Sequence, residues 1–140
     1  LAEGLKASPY LIKPNNHELS ALMGEKLETP EELEKAAREL MEKYHIAKIV
    51  ISMGGAGALY ITEEETLYAE GLKVPVKSTV GAGDSVVAAL AISEESEKSL
   101  EDTVRLSTAT GAANVMCSGT QAAEYEVIKS LLPKVVYHKL

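Results

Sequence analysis

The feature that most constrains the fold is a strongly marked amphipathic helix followed almost at once by a buried-type strand. Residues 29–44 spell TPEELEKAARELMEKY, where Thr29 is a candidate N-cap, Pro30 suits the first helical position and Glu32 completes a capping box. Apolar side chains then recur at helical spacing along one face of this segment. The next segment, KIVIS (Lys48–Ser52), is short, β-branched and continuously apolar, as is typical of a strand covered on both faces. This succession predicts a layered α/β fold with a mainly parallel sheet.

A further strand is predicted before this helix, and an antiparallel portion is predicted after KIVIS. YLIK (Tyr10–Lys13) is a short apolar run stopped by Pro14, and either Asn15 or Asn16 can cap the helix that follows. Beyond KIVIS, the segments ALYI, TLYAE and LKVPVKS have extended character, and Pro75 indicates an edge or irregular strand. We expect these segments to add antiparallel strands to the parallel ones.

Three more helices are predicted in the second half of the chain. One begins near Ala82, one begins at about Ser99 with Asp102 completing a second capping box, and the last covers Ala123–Leu132 and ends at Pro133. No internal repeat, low-complexity tract or linker interrupts the alternation of helices and strands. The length of 140 residues therefore predicts about one domain.

Charge and cysteine content exclude several classes of function. A formal net charge of −7 opposes broad contact with nucleic acid or with an anionic membrane, since both require a basic face. Cys117 is the only cysteine, so an internal disulfide is impossible and a reducing compartment is favoured, and its apolar neighbours indicate a buried, unreactive thiol. No apolar run has the length of a transmembrane helix and no signal segment opens the chain, which predicts a cytoplasmic location. The chain begins at Leu1 rather than at methionine, and we expect it to be part of a longer protein.

Two glycine-rich turns are the candidates for ligand binding. Gly54–Gly57 and Gly81–Gly83 each follow an extended segment, and such turns bring backbone N–H groups close to a phosphate without a Cβ in the way. Neither turn matches the P-loop pattern, and both lack the third glycine of the dinucleotide-binding fingerprint. The first turn is equally compatible with an ordinary hairpin connection.

Asp84 lies where the second turn becomes a helix. The N–H groups of Ala82, Gly83 and Asp84 would have no helical partner and would favour negative charge, such as that of a migrating phosphoryl group. The same helix N-terminus would keep the Asp84 carboxylate ionised and able to accept a proton from a hydroxyl group. Aspartate is also common as a simple helix-start residue, so local physics leaves both interpretations open.

Four segments, in order along the chain, resemble one family. STVGAGDSVVAALA is similar to the C-terminal signature of the ribokinase-like carbohydrate kinases, in the branch that includes the bacterial phosphofructokinases of the B type. KPNNHEL resembles the N-x-x-E motif of that family, ISMGGAGAL its S-x-G-x-x-G nucleotide loop, and TATGAANVMCSGT its adenine-side helix and loop. The resemblance covers nearly the whole chain. It implies a ribokinase-like three-layer α/β/α fold, of which residues 1–140 are the C-terminal, nucleotide-binding portion. The sugar-binding half and its small β lid would precede this chain.

The resemblance implies a role for each candidate residue. Asp84 would be the catalytic base that deprotonates the sugar hydroxyl, and the backbone amides of Gly81, Ala82 and Gly83 would form the anion hole. Glu18 would place Mg²⁺ through water, since this ion keeps several waters when bound. The residues implied for ATP lie near its phosphates, in the loop over the triphosphate or beside the adenine: Lys13, Asn15, Ser52, Met53, Gly54, Gly57, Val76, Thr108 and Ala112. Some members also bind a monovalent cation such as K⁺, and the corresponding residues here are Ser78, Val80, Asn114, Cys117 and Gly119.

The resemblance also implies the reaction and its partners. ATP would phosphorylate a hydroxyl of a phosphorylated ketohexose, fructose 1-phosphate or fructose 6-phosphate, with tagatose 6-phosphate as the alternative substrate. The full-length enzyme would be a homodimer, and the fragment alone would be inactive. Two other classes stay open: a non-catalytic nucleotide-binding module, and a Rossmann-type dehydrogenase domain, against which the incomplete glycine pattern argues. Glu18 is also compatible with a solvated helix residue, and Val76, Thr108 and Ala112 are compatible with core positions.

Overall fold

The computed structural model describes residues 10–53, 56–72, 82–96, 99–116 and 125–140, and the chain divides into two units. The first unit comprises residues 1–68 with 138–140, and the second comprises residues 69–137. The helices, in chain order, are α1 (Asn16–Met23), α2 (Pro30–Tyr44), α3 (Ala82–Glu95), α4 (Leu100–Val115) and α5 (Tyr125–Leu131). The strands are β1 (Leu11–Ile12), β2 (Lys48–Ser52), β3 (Ala58–Thr62), β4 (Thr66–Ala69) and β5 (Tyr137–Lys139).

Local capping defines both helices of the first unit. At the start of α2, the Thr29 hydroxyl accepts the Glu32 N–H at 3.1 Å and the Glu32 carboxylate accepts the Thr29 N–H at 3.2 Å, so the predicted capping box is present. Asn15, rather than Asn16, is the N-cap of α1. The helices end at Gly24 and His45, which have φ angles of 69° and 56° in the left-handed region.

The sheet has the strand order β1-β2-β3-β4-β5 and is mixed. β1 is parallel to β2, with Leu11 beside Lys48, whereas β2 and β3 are antiparallel, with Ser52 beside Ala58. The predicted α/β class and the antiparallel addition after KIVIS are both confirmed by this arrangement. The β5 strand was not predicted. The segment around Pro75 lies outside the described residues.

One face of each helix in the first unit packs on the sheet. Leu19 from α1 and Leu33 and Ala37 from α2 are buried together with the continuous apolar run of β2. Arg38 also ties α2 to the hairpin between β3 and β4, because its guanidinium donates to the Thr62 carbonyl at 3.0 Å and to the Thr66 hydroxyl at 2.9 Å. This core fixes the sheet edge at which the candidate residues lie.

The second unit contains α3, α4 and α5. Its buried side chains come mainly from α3 and α4: Ala89, Leu90, Val104, Ala109 and Ala113. The two helices approach closely at Gly111, where a Cβ atom would lie 2.9 Å from Cγ2 of Val86. A glycine at this point of α4 therefore makes room for a side chain of α3.

The capping of α4 differs in part from the sequence prediction. The Ser99 hydroxyl accepts the Asp102 N–H at 3.2 Å, as expected for an N-cap. The Asp102 carboxylate pairs instead with Arg105 at 3.3 Å, so the return bond of a capping box is not made. Aspartate is one methylene shorter than the glutamate that such a box prefers.

The last helix, predicted over Ala123–Leu132, is described as α5 over Tyr125–Leu131. α5 is followed by a 3₁₀ turn over Leu132–Lys134 that contains Pro133, and residues 117–124 lie outside the described part of the chain. Across the described residues, every helix is too short or too polar to cross a membrane.

Candidate functional site

The carboxyl ends of β1 and β2 bring two of the predicted segments together. Ser52 donates its N–H to the Pro14 carbonyl at 3.0 Å, and Asn15 and Ser52 form a parallel bridge. Lys13, which is half-buried, follows β1 directly and so lies at the same edge of the sheet. Open α/β sheets bind their ligands at this kind of edge, outside the carboxyl ends of parallel strands.

Asn15 and Glu18 are joined by two reciprocal hydrogen bonds at the start of α1. Oδ1 of Asn15 accepts the Glu18 N–H at 2.7 Å, and Oε1 of Glu18 accepts the Asn15 N–H at 2.9 Å. This capping box stabilises the helix whatever other role the two residues have. Glu18 is exposed, and its second carboxylate oxygen takes no part in the box. An exposed carboxylate oxygen that is open to water is a donor of the kind that Mg²⁺ uses.

The turn between β2 and β3 is closed by its own backbone. Met53 donates its N–H to the Gly57 carbonyl at 2.8 Å, and Ala56 donates its N–H to the Met53 carbonyl at 3.2 Å. Gly57 has a φ of 110°, which side chains with a Cβ rarely adopt. Because the turn connects antiparallel neighbours, it is a hairpin connection, and the N–H groups of Met53 and Ala56 are bonded within it. Gly54 lies outside the described residues.

Tyr68 contributes a contact to this turn that sequence analysis missed. The Tyr68 hydroxyl, on β4, donates to the Ala56 carbonyl at 2.8 Å. The Tyr68 ring stacks on the His138 ring of β5 with centroids 5.2 Å apart and planes 13° apart. Nothing in the segment TLYAE marks the tyrosine, because the contact depends on how β4 is placed in the sheet.

The backbone of Asp84 lies in the first turn of α3, as the sequence predicts. The helix begins at Ala82, so Ala82, Gly83 and Asp84 are among the residues whose N–H groups have no partner within the helix. Gly81 lies outside the described residues, as do the side chains of residues 82–85. The anion hole and the direction of the Asp84 carboxylate therefore stay predictions.

The residues predicted for the adenine and for a monovalent cation lie partly on α4. Thr108 and Ala112 are four residues apart, so they share a face of the helix, and both are half-buried. Asn114 is buried with 5% of its surface exposed. Val76, Ser78, Val80, Cys117 and Gly119 lie outside the described residues.

Metal-ligating side chains are scattered among the described residues. No group of three or more histidine, cysteine, aspartate or glutamate side chains there is arranged to hold a metal ion. Glu18 has an exposed carboxylate, and its assignment to Mg²⁺ through water stays a prediction.

Comparison with known proteins identifies relatives of this chain. The model of the pfkB family of carbohydrate kinases matches residues 1–126. The 1-phosphofructokinase of Vibrio cholerae is 39% identical over 135 residues, which cover 96% of this chain and 42% of the relative. The ATP-dependent 6-phosphofructokinase isozyme 2 of Escherichia coli is 37% identical over 116 residues, covering 83% of this chain and 38% of the relative. The chain thus spans about two-fifths of the length of these relatives.

Solved structures are similar over the same region. Phosphofructokinase-2 from Escherichia coli in complex with substrates and products has a TM-score of 0.86 at 33% identity, over 96% of this chain and 45% of that one. The same enzyme in complex with potassium has a TM-score of 0.81 at 35% identity, over 89% and 40%. Ribokinase from Thermotoga maritima has a TM-score of 0.76 at 28% identity, over 89% and 42%. The predicted ribokinase-like fold is confirmed by these likenesses.

Proposed function

We propose that this chain, which belongs to the pfkB family of carbohydrate kinases, supplies the ATP site and the catalytic base of an ATP-dependent sugar-phosphate kinase. The observation that carries the proposal is the bridge between Asn15 and Ser52 at the carboxyl ends of β1 and β2, in a chain that matches the family over residues 1–126. Two segments that the resemblance assigns to ATP become backbone neighbours at an edge suited to ligand binding.

In this proposal, catalysis is a direct, in-line phosphoryl transfer. Asp84 takes the proton of the sugar hydroxyl as that oxygen bonds to the γ-phosphorus of ATP, and the bond from the phosphorus to the β–γ bridging oxygen breaks to leave ADP. The N–H groups at the start of α3, from residues 81–83, stabilise the charge that develops on the phosphoryl oxygens.

Glu18 is the residue that would hold Mg²⁺, through water. Its exposed carboxylate keeps one oxygen outside the capping box, and oxygen donors with several retained waters suit this ion. When bound, Mg²⁺ neutralises charge on the phosphates. Lys13, which is half-buried at the same sheet edge, would add a positive charge near them.

The substrate we propose is a phosphorylated ketohexose, fructose 1-phosphate or fructose 6-phosphate, because the relatives are a 1-phosphofructokinase and a 6-phosphofructokinase. Tagatose 6-phosphate is the alternative. The residues that select the sugar would belong to the part of the protein preceding this chain. We further propose a homodimer for the full-length enzyme and a K⁺ site that includes the buried Asn114, since a related phosphofructokinase has been solved in complex with potassium.

Replacing the proposed base tests the reaction. In the full-length protein, Asp84→Asn should lower the rate of phosphorylation by about 10²–10⁴-fold, the usual contribution of a general base, and leave ATP affinity largely intact. Asp102→Asn is a matched control, because Asp102 is an exposed aspartate in the first turn of α4. Kinase assays with a panel of sugar phosphates and calorimetric ATP titration would measure both quantities. Near-normal turnover by the Asp84→Asn protein would contradict the role assigned to Asp84.

A non-catalytic nucleotide-binding module is the second candidate. The chain by itself spans 42% of the Vibrio cholerae protein. The sequence encoded upstream of Leu1 discriminates the two: a sugar-binding half supports the kinase, whereas a stop codon supports the module. NADH binding without ATP binding would instead indicate a dehydrogenase domain.

A further inference from the structure

Ser20, on α1, links the first turn of its own helix to the connection that follows the helix. Its hydroxyl group donates to the Asn16 carbonyl at 2.9 Å and accepts the Leu27 N–H at 3.2 Å. Ser20 is half-buried, and both bonds are partly shielded from water. One small side chain therefore joins the start of α1 to the segment that leads into α2.

The Leu27 end of this link is fixed by packing. Leu27 has 8% of its surface exposed and belongs to the buried cluster of the first unit. The connection also begins with two hydrogen bonds back to the last turn of α1, donated by the N–H groups of Gly24 at 3.3 Å and Glu25 at 3.2 Å. The Ser20 hydroxyl group thus ties the first turn of α1 to a segment that is itself held in place.

The first turn of α1 carries the residue that the proposed function gives to Mg²⁺. Asn15 is bridged to Ser52 at the end of β2, and Asn16 is held through its carbonyl by Ser20. Glu18 lies in the same turn, where its Oε1 atom accepts the Asn15 N–H at 2.9 Å. Because the Glu18 side chain is exposed, the placement of its carboxylate depends mainly on the backbone of this turn.

We propose that Ser20 is a positioning residue for the metal ion. By tying the first turn of α1 to the packed connection, its hydroxyl group keeps the Glu18 carboxylate where it can hold Mg²⁺ through water. Ser20 acts through the backbone of α1 and touches neither the ion nor the nucleotide. Groups that orient metal ligands in this way contribute to metal affinity. The inference rests on the proposed function, because it assumes that Glu18 serves the Mg²⁺ that accompanies ATP.

A purely structural role for Ser20 makes a different prediction. Loss of the hydroxyl group would leave the Leu27 N–H without this acceptor and would lower the free energy of unfolding. Any effect of this kind on ATP affinity would be the same with and without Mg²⁺. A positioning role weakens the binding of ATP in the presence of Mg²⁺ and leaves the binding of metal-free ATP unchanged. Comparing the two conditions therefore separates the two roles.

The experiment uses Ser20→Ala in the full-length protein, with ATP affinity measured by calorimetry in Mg²⁺ and in EDTA. We expect the dissociation constant of ATP in Mg²⁺ to rise roughly fivefold, a smaller effect than replacing the metal-holding carboxylate itself, while the value in EDTA is unchanged. In the kinase assay, the Mg²⁺ concentration needed for half-maximal activity should rise by the same factor, with kcat at saturating Mg²⁺ unchanged.

Thr66→Val is the matched control. It removes another hydroxyl group of the first unit that accepts one hydrogen bond, from Arg38 at 2.9 Å, and it keeps the branched shape of the side chain. The hairpin that contains Thr66 lies beside Lys48, at the opposite end of β2 from Ser52. Thr66→Val should lower stability in denaturant unfolding, as Ser20→Ala does, and leave both dissociation constants of ATP unchanged.

A double-mutant cycle shows whether Ser20 acts through Glu18. In a Glu18→Gln background, which keeps the cap and removes the charge, Ser20→Ala should weaken ATP binding in Mg²⁺ no further. Independent effects of the two substitutions would instead multiply.

The outcomes separate this inference from the proposed function. Weakening by Ser20→Ala that requires Mg²⁺ and disappears in the Glu18→Gln background supports it. Unchanged affinity, equal weakening with and without Mg²⁺, or multiplication of the two effects overturns the positioning role alone. A wild-type protein that binds no ATP overturns the proposed function, and one that binds ATP equally well in Mg²⁺ and EDTA overturns the assignment of Mg²⁺ to Glu18. This inference falls in either case.

Discussion

Glu18 combines a structural role with a proposed chemical one. Its Oε1 atom accepts the Asn15 N–H at 2.9 Å and completes the capping box of α1, while the proposed function gives its carboxylate to Mg²⁺ through water. A loss of activity on replacing Glu18 by alanine would have two explanations. A variant that keeps the cap and removes the charge distinguishes them.

Glu18→Gln is that variant, because glutamine completes a capping box as glutamate does. The free energy of unfolding should stay within about 0.5 kcal/mol of the wild-type value, as is usual for exposed positions without a special role. The Mg²⁺ concentration needed for half-maximal activity should rise about tenfold or more, the usual cost of disturbing a group that orients metal ligands. Denaturant unfolding and Mg²⁺ titration of the full-length kinase measure the two effects.

Glu32→Gln makes the same substitution in the capping box of α2, which has no proposed contact with the metal. It should change neither the stability nor the Mg²⁺ requirement. If Glu18→Gln also leaves the Mg²⁺ requirement unchanged, Glu18 is a helix cap and no more.

The sequence predicts those residue contacts that are local. The box of Thr29 and Glu32 follows from residues three positions apart. The choice between Asn15 and Asn16 as N-cap does not follow from the sequence, since both are good caps. The bridge to Ser52 holds Asn15 in an extended conformation with ψ of 172°. Tyr68 escapes prediction for the same reason, because its partner lies across the sheet.

At the scale of elements, the contact between α3 and α4 depends on a missing side chain. Gly111 lies inside α4, where alanine would normally be favoured by about 1 kcal/mol. A Cβ at this position would lie 2.9 Å from Cγ2 of Val86, and a β-branched side chain on a helix has little freedom to move aside. Overpacking of this kind costs about 1–3 kcal/mol. Steric conflict should therefore outweigh the propensity gain.

Gly111→Ala is expected to lower the free energy of unfolding by about 1 kcal/mol, the difference between these two effects. In a Val86→Ala background, which removes Cγ2, the same substitution should instead stabilise the protein. Denaturant unfolding of the four proteins of this double-mutant cycle measures the coupling. Destabilisation of equal size in both backgrounds would mean that Val86 is not the group that requires a glycine.

The elements predicted best are those with strong local signals. The predicted segments at Pro30–Tyr44 and Lys48–Ser52 have the bounds of α2 and β2. β5 was missed because Tyr137–Lys139 is only three residues long and mostly exposed, so neither periodicity nor burial marks it. Its position follows from pairing: Glu70 donates to the Val136 carbonyl and Leu140 donates to the Thr66 carbonyl, on either side of the strand. No sequence pattern within either segment predicts this pairing between segments that are distant along the chain.

At the scale of the whole molecule, the chain has features that favour association. Among the residues that the structure describes, four large apolar side chains are well exposed: Tyr10, Ile92, Val136 and Leu140. β1 stands first in the strand order and pairs only with β2 among the described strands, so its other backbone edge is open to a further strand. The relatives are more than twice as long as the matched region, which covers 42% of the Vibrio cholerae protein.

The isolated 140-residue chain should therefore self-associate or unfold at low denaturant concentration. An open strand edge can pair with a strand of another molecule, and exposed apolar side chains favour contacts between molecules. Light scattering after size exclusion, at several protein concentrations, measures the association, and urea unfolding followed by circular dichroism measures stability. The full-length protein is the control and should unfold at a higher urea concentration, since it would pair the β1 edge and cover the apolar side chains. A chain that stays monomeric at every concentration and unfolds cooperatively would show that these 140 residues are stable alone, and would count against their being one portion of a larger folding unit.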